Sequence, residues 1–336
     1  MPDKYINDYV FNRAELRVFF AGRWSRLWPY AQSRALGYHA WATLTALPFP
    51  VGQKVEGNQP REAYENSIRH FRPHLLHLPT TYMGDSHISY KFLREFRQAG
   101  GKIVARHSET YLTHGMKQFT ELPPLVDVLY TLSPTHVRTL EEITGCTNIR
   151  FLSTGADTGL YYPINIDKQI DLLYLGHAST PAKSRNDLIF MVDKEFDDLW
   201  VGGNWWDQKG ALRHWFKGAF KLDFSEWNSR AKIGLCLVPD HHAVLEMYYS
   251  CRLVNTMATK TFALTTYTPR LEELFTRKEH LDWYTTPDEL IDLIHYWLEH
   301  DEEREEVAQR GYEHVLKNFT IRQRSHRILR DVGLLR

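Results

Sequence analysis

The stretch YYSCRLVNTMATKTFALTTYTPRLEELF, Tyr248 to Phe275, decides the fold of this chain. A tyrosine pair and Arg252 open a short helical run, a small-residue turn follows, and TFALTT then reads as a strand. A helix feeding a short apolar strand is one repeat of a parallel α/β sheet. Polar residues where such a helix and strand meet face a ligand rather than a core, because open parallel sheets bind ligands beyond the carboxyl ends of their strands. Tyr249, Ser250, Arg252, Asn255 and Thr266 are therefore candidate ligand contacts.

The same alternation runs outward in both directions. Upstream, LRVFFAG, PHLLHLP, GKIVARHS, DVLYTLS and IRFLS read as short buried strands, with YHAWATLTAL a further candidate. SYKFLREFRQAGG and PTHVRTLEEITG are helices between them. It restarts at IDLLYLG, followed by the helix SRNDLIFMVDKEF and the strands LWVGG and KIGLCLVP. Three helical segments close the chain, the first capped by Thr286, Pro287 and Glu289. The expectation is two Rossmann-like α/β domains, 1–154 and 155–336, with the last helix free to pack back on the first. Ligand is expected in the cleft between them.

Composition sets the remaining bounds. The 336 residues are 43% hydrophobic and 24% charged, with 41 basic against 41 acidic side chains. No global field recruits nucleic acid or membrane, although a local basic face is compatible with zero net charge. Cys146, Cys236 and Cys251 form no C-x-x-C pair, which favours reduced thiols and a cytoplasmic location. No apolar run reaches the ~18 residues that a membrane span needs.

Several strand ends carry chemistry. FFAGRW places Gly22 and Arg23 ahead of a helix, where glycine allows close backbone approach and free N–H groups attract anions. LGHASTPAKSRNDL places Gly176, then Lys183 and Arg185 at a helix start, a candidate diphosphate clamp. Arg252 adds a third cation on the same edge, in a first helical turn where the dipole favours anions. His107 and Glu109 in ARHSET are the candidate acid or base. The chain has no G-x-G-x-x-G, no P-loop and no D-x-D, and His241–His242 lack the partners of a metal site. A resident cofactor or metal is not expected.

With these residues in hand, GADTGLYYPI (Gly155 to Ile164) resembles the hinge of GT-B glycosyltransferases entering the donor-binding domain. The following order, IDLLYLGHAS…KSRNDLI, LWVGGNWW, FSEWNSRAKIGLCLVP, the opening stretch, then LEELF and the terminal helices, resembles the CgeB-like branch related to glycosyl transferases group 1. It covers about half the chain; the first half matches only in its α/β pattern. The resemblance implies a nucleotide-sugar donor, a UDP-sugar, with its diphosphate near Gly22, Lys183, Arg185 and Arg252 and no obligatory metal. It puts the base near Trp205 or Trp206, the ribose at Asn255, and the sugar along TTYT, Thr265 to Thr268. Relatives carry a glutamate where Asn255 stands and a glycine where Lys260 stands; Glu246 sits one position from the other expected glutamate.

The implied acceptor is a hydroxyl, on a glycan or surface polymer or on hydroxymethylated bases of DNA. The segments Trp205–Lys221, HFRPHLLH and KFLREFR mix cations with aromatics as polynucleotide binding would require. The same residues also read as packing aromatics with solvated charges. A reading of another class is a nucleotide-sugar-binding GT-B relic without turnover.

Overall fold

The computed structural model describes residues 18–20, 65–66, 68–70, 72–79, 88–107, 120–178, 183–217 and 220–335. The candidate strand YHAWATLTAL, with Gly22, Arg23 and Glu109, lies outside them. Two units divide the chain: Met1–Leu152 with Ile321–Arg336, and Ser153–Thr320.

The first unit is a five-stranded sheet in sequential order: β1 (Val18–Phe20), β2 (Leu75–Pro79), β3 (Lys102–Arg106), β4 (Val128–Thr131) and β5 (Ile149–Phe151). Every pairing is parallel. Helix α1 (Tyr90–Gln98) starts at Ser89, whose hydroxyl accepts from the Phe92 N–H and donates to Glu65. Helix α2 (Pro134–Thr144) has Ser133 as N-cap, proline in its first turn and Gly145 in the left-handed conformation at its end. The C-terminal helix, Ile321–Asp331, buries Ile328 and Leu329 against Val18, Leu75, Val104 and Val128. Its Asp331 accepts from Tyr130 Oη at 2.9 Å and pairs with Arg150 at 3.1 Å.

The second unit runs β6 (Ile170–Leu175), α3 (Lys183–Glu195), β7 (Leu199–Gly202), β8 (His214–Phe216), α4 (Phe220–Arg230) and β9 (Ala231–Cys236). It continues with α5 (Asp240–Ala243), α6 (Cys251–Ala258), β10 (Phe262–Thr266), β11 (Asp282–Tyr284), α7 (Pro287–Glu299) and α8 (Asp301–Asn318). The sheet order is β8-β7-β6-β9-β10-β11, all parallel. This is the order of dinucleotide-binding sheets, and it reverses between β6 and β9. The three-residue strands β8 and β11 escape the sequence pattern because HWF and DWY stand among charged and polar residues and make no apolar run. In β8, His214 stacks on Trp200, and Phe216 on Trp227.

Lys260, at the turn between α6 and β10, holds φ +57°. A side chain stands in the left-handed conformation that glycine adopts without strain.

The edge β11 is held by a buried charge. Asp282 is fully buried, and its Oδ1 accepts from Arg277 Nε at 2.6 Å and the Trp283 N–H at 2.8 Å. Its Oδ2 accepts from Trp297 Nε1 at 2.9 Å. Arg277 also reaches Glu289 in the first turn of α7, where Thr286 accepts from the Glu289 N–H. Asp282→Ala leaves those donors facing an apolar cavity, and a loss of about 3 kcal/mol is expected in urea unfolding. The Thr285 hydroxyl and N–H, with Arg277, hold the Glu289 carboxyl down at about 2. A depressed pKa contributes stability above the ordinary value of 4.5, lost as pH falls toward about 2. Melting temperatures of wild type and Glu289→Gln should therefore differ at neutral pH and converge across that acid window.

Candidate functional site

Where strand order reverses, neighbouring strands send their connections to opposite faces and leave a crevice between their carboxyl ends. Arg252 fills this position in the second unit. It sits in the first turn of α6, and its Nε donates to the Leu175 carbonyl at the end of β6. Its Nη1 donates to the Leu237 carbonyl, just beyond β9, at 3.1 Å. One guanidinium thus spans the two strands that flank the reversal. Its plane lies over the buried Tyr174 ring, Cζ to centroid 4.5 Å.

Arg185, in the first turn of α3, lies over the same ring at 5.9 Å and donates from Nη2 to the His177 carbonyl at 2.7 Å. The hydrogen bonds of both arginines end on backbone carbonyls, and among the described residues no carboxylate pairs with either. Burial, and then Arg252, press the Arg185 guanidinium below its ordinary pKa. His177 is pressed down by burial and then by Arg252 and Arg185. Two like charges held beside one another without a counter-charge make a site for an anion.

Two glycines allow this edge to close. Gly203, at φ +154°, follows β7, and a Cβ there would stand 2.1 Å from the Gly176 carbonyl oxygen. That oxygen accepts from Trp206 Nε1, and the Gly203 carbonyl accepts from Trp215 Nε1, both at 2.8 Å. Trp206 is fully buried. Of the two tryptophans named for the base, it is a core residue that pins the loop after β6. Trp205 is 51% exposed, holds φ +66° and meets the His177 ring edge to face. His177 Nδ1 in turn accepts from the Asn204 N–H. An exposed tryptophan in a left-handed conformation is held there by its neighbours rather than by its own preference.

The other sequence-predicted residues separate. Asn255 shares a helix face with Arg252, three residues on, and is 7% exposed with its Oδ1 buried and unpartnered. Ser250 is the N-cap of α6, yet its hydroxyl makes no capping bond and is buried without a partner. Tyr249 is buried against Phe275 and Phe319 and donates to the Thr154 carbonyl, so it belongs to the core. Glu246 pairs with Arg270 at 3.2 Å. Thr266 Oγ1 bonds Tyr284 Oη and accepts from the Val238 N–H. It lines a groove of about 530 Å³ with Ser184, Asp187, Asp240 and Tyr284. Lys183 begins α3, its side chain outside the described residues. In the first unit, His107 follows β3, is 1% exposed, and has its ring 6.0 Å from that of His136.

Sequence reasoning missed Tyr174, which reads as one more apolar position of β6, and Gly203. Gly203→Ala would drive β6 and β7 apart at their ends; a stability loss of about 1–3 kcal/mol is expected in thermal unfolding.

Residues 185–330 match the family model described as "glycosyl transferase-like". No curated protein matches the chain by sequence. Among solved structures, a glycosyltransferase from Rickettsia africae is similar with a TM-score of 0.66 and 9% identity, covering 95% of this chain and 97% of that one. HepE of Anabaena in complex with UDP gives 0.66 and 11%, covering 95% and 99%. Sucrose-phosphate synthase from Thermosynechococcus elongatus gives 0.59 and 13%, covering 81% and 77%. These similarities show the GT-B fold, two Rossmann-like α/β units.

Proposed function

For a chain of GT-B fold whose residues 185–330 are glycosyl transferase-like, we propose transfer of a sugar from a nucleotide-diphosphate sugar to a hydroxyl acceptor. The observation that carries this reading is the pair of guanidiniums, Arg185 and Arg252, at the strand-order reversal of the second unit, paired with no carboxylate among the described residues. In glycosyl transfer the leaving group is a nucleoside diphosphate. Cations aimed at its oxygens stabilise the charge that develops as the glycosidic bond breaks. HepE, of the same fold, binds UDP, and a UDP-sugar is the donor we assign.

The neighbouring residues fit the other parts of such a donor. Trp205 offers an exposed aromatic face to a base. Asn255 presents an unpartnered amide oxygen to a ribose hydroxyl without the charge of the relatives' glutamate. The groove at Thr266 has hydroxyl and carboxylate groups on an apolar wall, the mixture that suits a sugar ring. In this reading the acceptor belongs to the first unit, and His107 takes the proton of its hydroxyl. Diphosphate charge is met by guanidiniums, so transfer is expected to persist in EDTA.

The DNA-acceptor reading gains no support from the segment Trp205–Lys221. Trp206 is a core residue, Trp215 donates to the Gly203 carbonyl, and Phe216 stacks on Trp227. The aromatics offered for flipped bases are largely engaged within the fold.

Calorimetry with UDP tests the donor site. Arg185→Ala, which leaves the Arg252 bridge in place, is expected to weaken UDP about 10- to 100-fold, the scale of a hydrogen bond to a charged group. Unchanged affinity in a folded variant removes the assignment. His107→Ala is expected to retain UDP binding and to slow transfer; an unaltered transfer rate would exclude it as the base.

A further inference from the structure

Tyr174, near the end of β6, is fully buried, and its hydroxyl has no hydrogen-bond partner. The ring is well placed without that hydroxyl: it packs edge to face on Trp206 and carries both guanidiniums. Phenylalanine would do the same packing. A buried hydroxyl without a partner keeps its desolvation cost unrepaid, so within the fold the hydroxyl is destabilising.

The hydroxyl is placed beside the candidate anion site. A Cβ built on Gly176 would stand 2.5 Å from Arg252 Nη2 and 2.6 Å from Tyr174 Oη. A guanidinium nitrogen and the phenol oxygen therefore both close on Gly176, which they can do because residue 176 has no side chain. Arg252 uses Nε and Nη1 on strand-end carbonyls, which leaves Nη2 near the Tyr174 hydroxyl. Arg185 has its Nε buried and unpartnered over the same ring. Arg252 Nη2 and the Tyr174 hydroxyl thus meet beside Gly176, with the Arg185 guanidinium over the same ring.

We propose that Tyr174 is an anion-binding residue of the donor site, its hydroxyl donating to a phosphate oxygen held between Arg185 and Arg252. This deepens the reading of the second unit as a nucleotide-diphosphate-sugar site and rests on it. The tyrosine discriminates by chemistry: a phosphate oxygen brings the negative charge that the hydroxyl and the two guanidiniums meet together, whereas a nucleoside brings none. An acidic acceptor is what turns an orphaned hydroxyl into a charge-assisted bond.

The test compares wild type with Tyr174→Phe, the isosteric change, by calorimetry with UDP, inorganic pyrophosphate and uridine, and by thermal unfolding without ligand. The expected result is a loss of about tenfold or more in affinity for UDP and pyrophosphate. Uridine affinity should be unchanged, and the melting temperature of the ligand-free variant equal or higher. Equal UDP and pyrophosphate affinities in the two proteins overturn the role of Tyr174 and leave the donor-site reading standing. A ligand-free variant that melts lower shows that the hydroxyl already has a partner, and also overturns it. Wild type that binds neither UDP nor pyrophosphate overturns both readings.

Discussion

The second unit depends on one bridge, the Arg252 guanidinium across the carbonyl ends of β6 and β9. Parallel strands pair through their length, but at a reversal of strand order their connections leave in opposite directions and the terminal carbonyls lose neighbours. An arginine can meet this demand because its planar fork offers donors in fixed directions, which a lysine does not. Tyr174 beneath it supplies a π-face, and Arg185 shares that face. In the proposed function, structure and anion binding use the same group: the nitrogens that tie the strands also fix where the remaining one points.

Glycine makes the bridge possible. Gly176 leaves room for Arg252 and Tyr174, and Gly203 allows its backbone to meet the Gly176 carbonyl. Trp206 and Trp215 then donate to the two glycine carbonyls. The buried polar groups of this corner are matched on the backbone side. On the side that faces the candidate ligand, the Tyr174, Ser250 and Asn255 side chains keep buried oxygens without partners. Native folds satisfy nearly all such groups, and a concentration of exceptions on one sheet edge marks a place completed by something else.

Three positions singled out by the GT-B resemblance are held in different ways. Lys260 stands in the left-handed conformation, with local strain. Asn255 keeps a buried neutral oxygen without a partner. Glu246 pairs with Arg270.

Periodicity and capping alone determined the α/β class and most elements, because a buried parallel strand must be short and apolar and each helix between must carry one apolar face. The placement of Arg185 and Arg252 on one strand-end edge was also legible, since each lies in the first turn of its helix. Strands β8 and β11 were not, since HWF and DWY stand among charged and polar residues and make no apolar run. Nor could sequence rank the two adjacent tryptophans. Only the tertiary structure turned Trp206 into the core and Trp205 outward, because φ +66° at residue 205 redirects the chain between them. Tyr174 shows the same limit. In sequence it is one more apolar position of a strand, and only folding brings Arg185 and Arg252, from two other segments, over its ring.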